Sequence, residues 1–267
     1  MSETAPQSNF DLREEIKEYW SKRAETFDTQ PGHEIFSESE REAWHRLFKR
    51  HLGPGDGRRA LDLASGTGVI SHVLDDIGFD VTGLDWADPM LARAKAKAGE
   101  RKRSIRFLMG DAERTMEPDD HYDVVTCRHL VWTLVDPKAA FNEWARVLKP
   151  GGKLLIVDGD FVDPGLVARL AARLSKALAG LSRKSVSKPA PEAAEMLATH
   201  RSILSRVYFS GGARAEAVAA LLEEAGFSEI RIDTNLRAIQ WAQARNFSFL
   251  KGVERATQHR YAICATK

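Results

Sequence analysis

Apolar positions along this chain follow two different periods, and the switching between them predicts the architecture. From Asp11 to about Phe27, residues Leu12, Ile16, Tyr19, Trp20 and Phe27 recur at helical spacing. After a Pro31-Gly32 break, a second amphipathic helix runs from about Ser37 to Leu52, where Gly53-Pro54-Gly55 stops it. Short apolar runs then alternate with helical stretches. The runs at 60–64, 79–86, 104–111, 121–127 and 153–158 predict five strands. Ile70, Val73, Leu74 and Ile77 mark the first intervening helix, and Asp88-Pro89 opens the next with an N-cap and a proline at the first helical position. Asp136-Pro137 opens a third, with Ala140, Phe141, Trp144, Val147 and Leu148 on its face and Lys149-Pro150-Gly151-Gly152 as its stop.

Strands separated by helices of this length call for right-handed crossovers and a doubly wound, mostly parallel sheet covered on both faces. The rhythm breaks after Asp158: residues 161–205 carry an Ala/Leu/Arg-rich helix at 164–181, a Ser/Lys/Pro stretch at 182–191 and a helix near 192–204. It resumes with a helix at 213–225 and strands at 228–234 and 259–267, while 235–257 has no clear pattern. The expected organisation is therefore a disordered tail at 1–9 and one domain over 10–267, with N-terminal helices at 10–55 and a helical cap at 161–210. That cap is expected over the carboxyl edge of the sheet, where ligands bind in such folds.

Composition narrows the function classes. Lys and Arg total 39 against 38 acids, for a net charge of +1, which argues against a general nucleic-acid or membrane-surface binder. The two cysteines, Cys127 and Cys264, form no CxxC pair, so neither a structural metal nor a disulfide framework is expected. No secretory leader and no bilayer-length apolar run is evident, and the cytoplasm is the default compartment.

Three segments carry candidate chemistry. In L-D-L-A-S-G-T-G (61–68), glycines stand where a ligand approaches the backbone closely. Asp85 ends a strand, where a carboxylate accepts hydrogen bonds from both hydroxyls of a ribose. Gly110-Asp111-Ala112 follows the third strand. A fourth segment, V-L-K-P-G-G-K (147–153), redirects the chain and is assigned no chemistry. A nicotinamide dehydrogenase is the main rival, but the spacing Gly66, Gly68, Ser71 leaves its G-x-G-x-x-G/A pattern incomplete.

These segments, in this order, resemble the core of the class I, Rossmann-like S-adenosylmethionine-dependent methyltransferases from about residue 56 to 160. The resemblance implies a seven-stranded sheet, lid helices at the N-terminus and a helical insertion after the fifth strand. It implies S-adenosyl-L-methionine as cofactor and S-adenosyl-L-homocysteine as product. Asp62, Ala64, Ser65, Gly66 and Gly68 would border its methionine and ribose portion, with Ala64 standing where the family usually has glycine. Asp85 would hold the ribose, Trp86 and Met90 would pack on the adenine, and Asp111 with the Ala112 N–H would meet its edge. Tyr19 resembles part of the family's lid, and Arg128 stands where the fourth strand meets the cofactor.

The acceptor is less legible. His129 is either a general base for an alcohol, phenol or ammonium group or a hydrogen-bonded structural histidine. Arg128 either binds an acidic substrate or pairs with a carboxylate. Trp20, Trp132, Phe161, Tyr208 and Trp241 suit an aromatic pocket for a small molecule, and equally suit ordinary core. Arg169, Arg173 and Lys176 share one face of the 164–181 helix, which reads as a membrane or partner surface or as a solvated face. The expectation is a small-molecule methyltransferase, monomeric or homodimeric, with no nucleic-acid partner. A non-catalytic binder of the same nucleotide, or an enzyme acting on protein or RNA, is the alternative.

Overall fold

The computed structural model describes residues 9–163, 165–181 and 191–267. The expected tail up to residue 8 and the Ser/Lys/Pro stretch from 182 to 190 lie outside them. Seven strands form one sheet in the order β3-β2-β1-β4-β5-β7-β6. They are β1 (Arg59–Leu63), β2 (Asp80–Asp85), β3 (Arg106–Met109), β4 (Tyr122–Arg128), β5 (Leu148–Gly159), β6 (Ser228–Asp233) and β7 (Arg260–Thr266). β1 to β5 run parallel, whereas β7 lies antiparallel between β5 and β6.

Helices cover both faces, as the continuous apolar strands require. Leu154 and Ile156 of β5 pack with Phe141, Trp144 and Val147 of α5 (Pro137–Val147) and with Val218 and Leu222 of α8 (Ala215–Glu224). Their neighbours Leu155 and Val157 face the other way, onto Trp44, Leu47 and Phe48 of α2 (Glu38–Leu52) and Ile70 and Val73 of α3 (Val69–Asp76). The pleat puts successive side chains on opposite faces, so each residue of this run finds its own core. Fully burying a Leu or Phe contributes about 1.5–3 kcal/mol, and Phe48, Phe141, Leu154 and Leu155 are all completely enclosed.

Several helix starts follow from single polar groups. Ser37 caps α2 by accepting from the Glu40 N–H at 3.2 Å, and Asp136 caps α5 by accepting from Ala139 at 3.0 Å. The start of α4 (Asp88–Glu100) differs from expectation: its N-cap is Ala87, and Asp88 is already helical. The Asp85 carboxylate takes the Ala87 N–H at 2.8 Å and fixes the entry, leaving Asp88 to favour the N-terminal dipole. β5 is also longer than expected. Tyr122 pairs with Leu148 and Val124 with Lys153, so Lys149–Gly152 bulge out within a strand that starts before them.

The segment at 235–257 holds two helices, α9 (Arg237–Ala244) and α10 (Phe249–Ala256). Gln240 and Gln243 are buried in α9, which hides its inward face from an apolar reading. In α10, Gly252 lies so close that a Cβ would come within 2.7 Å of the Ala244 carbonyl oxygen. The cap is α6 (Gly165–Leu181) and α7 (Pro191–Arg206). α7 packs Ile203, with Val207 just beyond it, on Leu12, Ile16 and Tyr19 of α1 (Asn9–Phe27), whereas α6 lies on α10. In α6, Ala168 and Ala171 are the inward residues and Leu166, Leu170 and Leu174 are exposed.

Candidate functional site

At the carboxyl edge, the turns after β1 to β4 and the underside of α1 border a cleft. Its floor is the turn after β1. Ala64 and Gly66 both adopt left-handed backbone, at φ +49 and +55°. The Ser65 N–H donates to the Leu84 carbonyl at 3.0 Å and ties the turn to β2. A Cβ built on Gly66 would meet only the Phe27 ring, at 3.8 Å, so this glycine leaves open space above the backbone.

Gly68, expected beside it, does not line the cleft. It caps α3 at φ +81°, and a Cβ there would come within 2.9 Å of the Phe107 ring. Its lack of a side chain serves packing beneath the sheet edge rather than room for a ligand.

Asp85 faces the same space from the end of β2. Its Oδ2 accepts from the Gly66 N–H at 2.9 Å and its Oδ1 from Ala87 at 2.8 Å. Burial disfavours the charged form and pushes its pKa up to about 6, against the opposing pull of these backbone bonds. Asp62 stands beside it, accepting from the Ser71 hydroxyl at 2.6 Å, and burial raises it to about 7. Past β3, Gly110, Asp111 and Ala112 form the next part of the wall. Asp111 Oδ1 accepts from the Glu113 N–H at 2.8 Å, and the Trp144 indole holds the Ala112 carbonyl at 2.8 Å. Trp86 and Met90 complete that side.

The roof comes from the N-terminal segment. Ile16, Trp20 and Phe27 of α1 reach into the cleft, followed by His33. Bonds from Lys97 and Arg13 hold this cover down. Lys97 joins Glu34 at 2.8 Å, Asp28 at 3.1 Å and the Thr67 hydroxyl at 3.1 Å. At the other end, Arg13 of α1 pairs with Glu113. Phe27, His33, Thr67 and Glu113 were absent from the sequence reading of the site. Phe27 was legible only as a helix-face residue and His33 only as part of a break.

At the end of β4, Arg128 and His129 border the cleft. The Arg128 guanidinium donates to the His33 carbonyl at 2.8 Å and the Gly32 carbonyl at 3.3 Å, and lies 5.5 Å from the centre of the Trp44 ring. Among the described residues it makes no ion pair with a carboxylate; it clamps the cover. His129 sits in left-handed backbone at φ +57°, with its ring 5.4 Å from that of Phe161. Burial, then the charges of Arg260 and Arg128, hold its pKa well below the usual imidazole value. At neutral pH it is an uncharged and weak base.

The remaining aromatic residues divide. Trp132 and Phe161 form a ring layer behind Trp20 and His129, with Trp132 centred 6.3 Å from Trp20 and 6.0 Å from Phe161. Tyr19 lies outside the cleft, stacked on His200 at 5.5 Å and accepting from Arg23 at 2.8 Å, because its helix turns it towards α7. Tyr208 and Trp241 are also elsewhere, 52% and 51% exposed. Trp241 edges a second, more open hollow over β5, β7 and β6, along the same edge of the sheet, with Arg260 and His259. Among the described residues no group of His, Cys, Asp and Glu is arranged to hold a metal ion, and no helix is long and apolar enough to cross a membrane.

Comparison with known proteins agrees with this arrangement. A family model described as a methyltransferase domain matches residues 61–156. A demethylmenaquinone methyltransferase of Renibacterium salmoninarum is 34% identical over 158 residues, 58% of this chain and 65% of its own length. The ubiquinone/menaquinone biosynthesis C-methyltransferase UbiE of a Shewanella species is 36% identical over 124 residues, 43% of this chain and 49% of its own. The chain thus spans only about half to two thirds of these relatives. The solved structure of Haemonchus contortus phosphoethanolamine N-methyltransferase 2 superposes with a TM-score of 0.64 at 18% identity, covering 96% of this chain and 60% of that one; it is a likeness of fold. Residues 61–156 match the methyltransferase-domain family, and the fold around them is the Rossmann-like fold of the class I S-adenosylmethionine-dependent methyltransferases.

Proposed function

We propose that this chain transfers a methyl group from S-adenosylmethionine to a small organic acceptor, working as one domain over 10–267 with 161–210 as its cap. The observation that carries the reading is the pairing of Asp85 with Gly66. The buried Asp85 carboxylate borders the cleft and has more acceptor positions than the backbone N–H groups of Gly66, Ala87 and Trp86 fill, directly beside a glycine whose missing side chain leaves room. In this reading Asp85 takes the ribose hydroxyls, at about 1.5–3 kcal/mol for each charge-assisted bond. Asp111 and the Ala112 N–H meet the adenine edge, Trp86 and Met90 flank its ring, and Asp62, Ala64 and Ser65 border the methionine side.

When bound, S-adenosylmethionine supplies a methyl group already activated on a sulfonium, so the protein's part is to bind, orient and exclude water. Orientation alone accounts for about 7–11 kcal/mol of a two-reactant barrier. Trp20 and Phe27 cover the cleft, the Arg128 and Lys97 bonds hold that cover in place, and the uncharged His129 lines the acceptor end without acting as a strong base. The near-zero net charge weighs against a nucleic-acid partner, and this reading takes the chain as a cytoplasmic monomer or homodimer.

The test is to incubate the protein with S-adenosylmethionine and a panel of phenols, amines, thiols, organic acids and demethylmenaquinone, reading release of S-adenosylhomocysteine. Acceptor-dependent release supports the proposal. Tight nucleoside binding without release on any acceptor would point to the non-catalytic reading instead.

A further inference from the structure

Beyond the donor cleft, three arginines converge where β4 and β5 end and β7 begins. Arg128 holds the loop carbonyls of Gly32 and His33. Arg260, at the start of β7, donates to the Gln243 side-chain oxygen at 2.7 Å, and that oxygen lies 3.7 Å from where a Cβ on Gly32 would be. Arg255 of α10 sits 5.4 Å from the centre of the Phe247 ring. Among the described residues, none of these guanidiniums has a carboxylate within the 4.0 Å of an ion pair. The Nε atoms of Arg255 and Arg260 and the Nδ1 of His129 are buried without any hydrogen-bond partner.

Nearby carboxylates do not fill that need. Asp158 accepts from the N–H groups of Val131 and Gly159, Glu40 from Gln243 and Phe36, and Asp62 from Ser71. Burial, then repulsion from Arg255 and Arg128, lowers Arg260 to about 10, and burial, then Arg128, Arg23, Arg255 and Arg260, lowers His33 to about 3. Buried charges are ordinarily paired, and unsatisfied donors are costly. A cluster of fixed, planar donors without a counter-charge suits a carboxylate or phosphate.

We propose that this cluster is an anion subsite: Arg260 and Arg255, with Arg128 behind His129, hold a carboxylate or phosphate group of the methyl acceptor. The assignment to the acceptor rests on the function proposed above and on the strand order. Asp111, Asp85 and Gly66 sit over β3, β2 and β1, so the donor occupies that side of the sheet. Arg260 lies on β7, three strands from β1, about 14 Å at ordinary strand spacing. An anion there belongs to a second molecule rather than to the donor's amino-acid end.

The test titrates the full chain, with and without saturating S-adenosylhomocysteine, with inorganic phosphate and with benzoate, reading the imidazole NMR signals of His33 and His129. Saturable binding of at least one anion is expected in both states. Arg260→Gln and Arg255→Gln should each weaken it at least tenfold while nucleoside affinity, which also reports folding, stays within twofold. Loss of anion binding on nucleoside saturation would assign the cluster to the donor's carboxylate and overturn the proposal. So would wild-type anion affinity in both variants, or no anion binding at all. Failure of the nucleoside to bind would instead contradict the donor assignment, and the anion titration of the free protein would still decide the subsite.

Discussion

The two halves of this sheet edge are built on different terms. Over β1, β2 and β3, the site consists of tight turns and strand-end carboxylates, each tied to the backbone: Asp85 to Gly66 and Ala87, Asp111 to Glu113. Over β4, β5 and β7, it consists of long side chains from distant elements, namely Arg128, His129, Phe161, Arg255 and Arg260, with an uncharged histidine among cations. A ligand of fixed chemistry can be met by backbone geometry at fixed chain positions. An acceptor that differs from enzyme to enzyme is met by side chains on helices that can change without disturbing the sheet. Fold is therefore a poor guide to the second half.

The largest effect should come from the element that supports the donor half. Trp144 is fully buried and its indole holds the Ala112 carbonyl. Trp144→Ala should cost about 3–5 kcal/mol in denaturant unfolding. Trp241→Ala, at a half-exposed position in the other half, should change stability by less than about 0.5 kcal/mol. Similar losses in both would erase the contrast.

Next, Asp85→Ala should weaken S-adenosylhomocysteine binding by about 2–4 kcal/mol, roughly 30- to 1000-fold, if it accepts from two ribose hydroxyls. An unchanged affinity in calorimetry would remove Asp85 from the donor site. The two glycines then sharpen the picture within the donor half. Gly68→Ala should destabilise the fold by about 1–3 kcal/mol, since left-handed backbone and the Phe107 ring both oppose a Cβ. Gly66→Ala should cost less stability and lose more nucleoside affinity, a reversal that thermal melts with and without ligand would reveal.

The smallest effect is one of pH. Because burial raises Asp85 to about 6, its carboxylate form is lost as pH falls through that value. Nucleoside affinity should then drop by about tenfold per unit below pH ~6. In the free protein the sign is opposite. The folded chain retains a proton between about pH 4 and 6 that the unfolded chain has released, so this group's stabilising contribution declines as pH rises across that window. Flat affinity from pH 5 to 7.5 would contradict the role.

The same division explains what was legible in the sequence. The sheet, its order of helices and the segment from Asp62 to Ala112 follow from apolar runs and turn residues that act locally. Gly68 resembles Gly66 in the sequence, and its place at the start of α3 against Phe107, a residue distant in the chain, separates their roles. Helices α9 and α10 were hidden because Gln240 and Gln243 are buried as hydrogen-bonding partners rather than as apolar residues. Arg260 and Arg255 drew no attention, since nothing in the local pattern shows that a surface-type residue will be enclosed. Residue type alone left Tyr208 and Trp241 open between an aromatic pocket and ordinary core, and their elements carry them away from the cleft, half-exposed.

Both halves of the comparison depend on this edge holding the S-adenosyl nucleoside. Calorimetric titration of S-adenosylhomocysteine and of NAD into the unmodified protein tests it most directly. Saturable binding of the first and none of the second is expected. Absence of S-adenosylhomocysteine binding, or binding of NAD in its place, would contradict it.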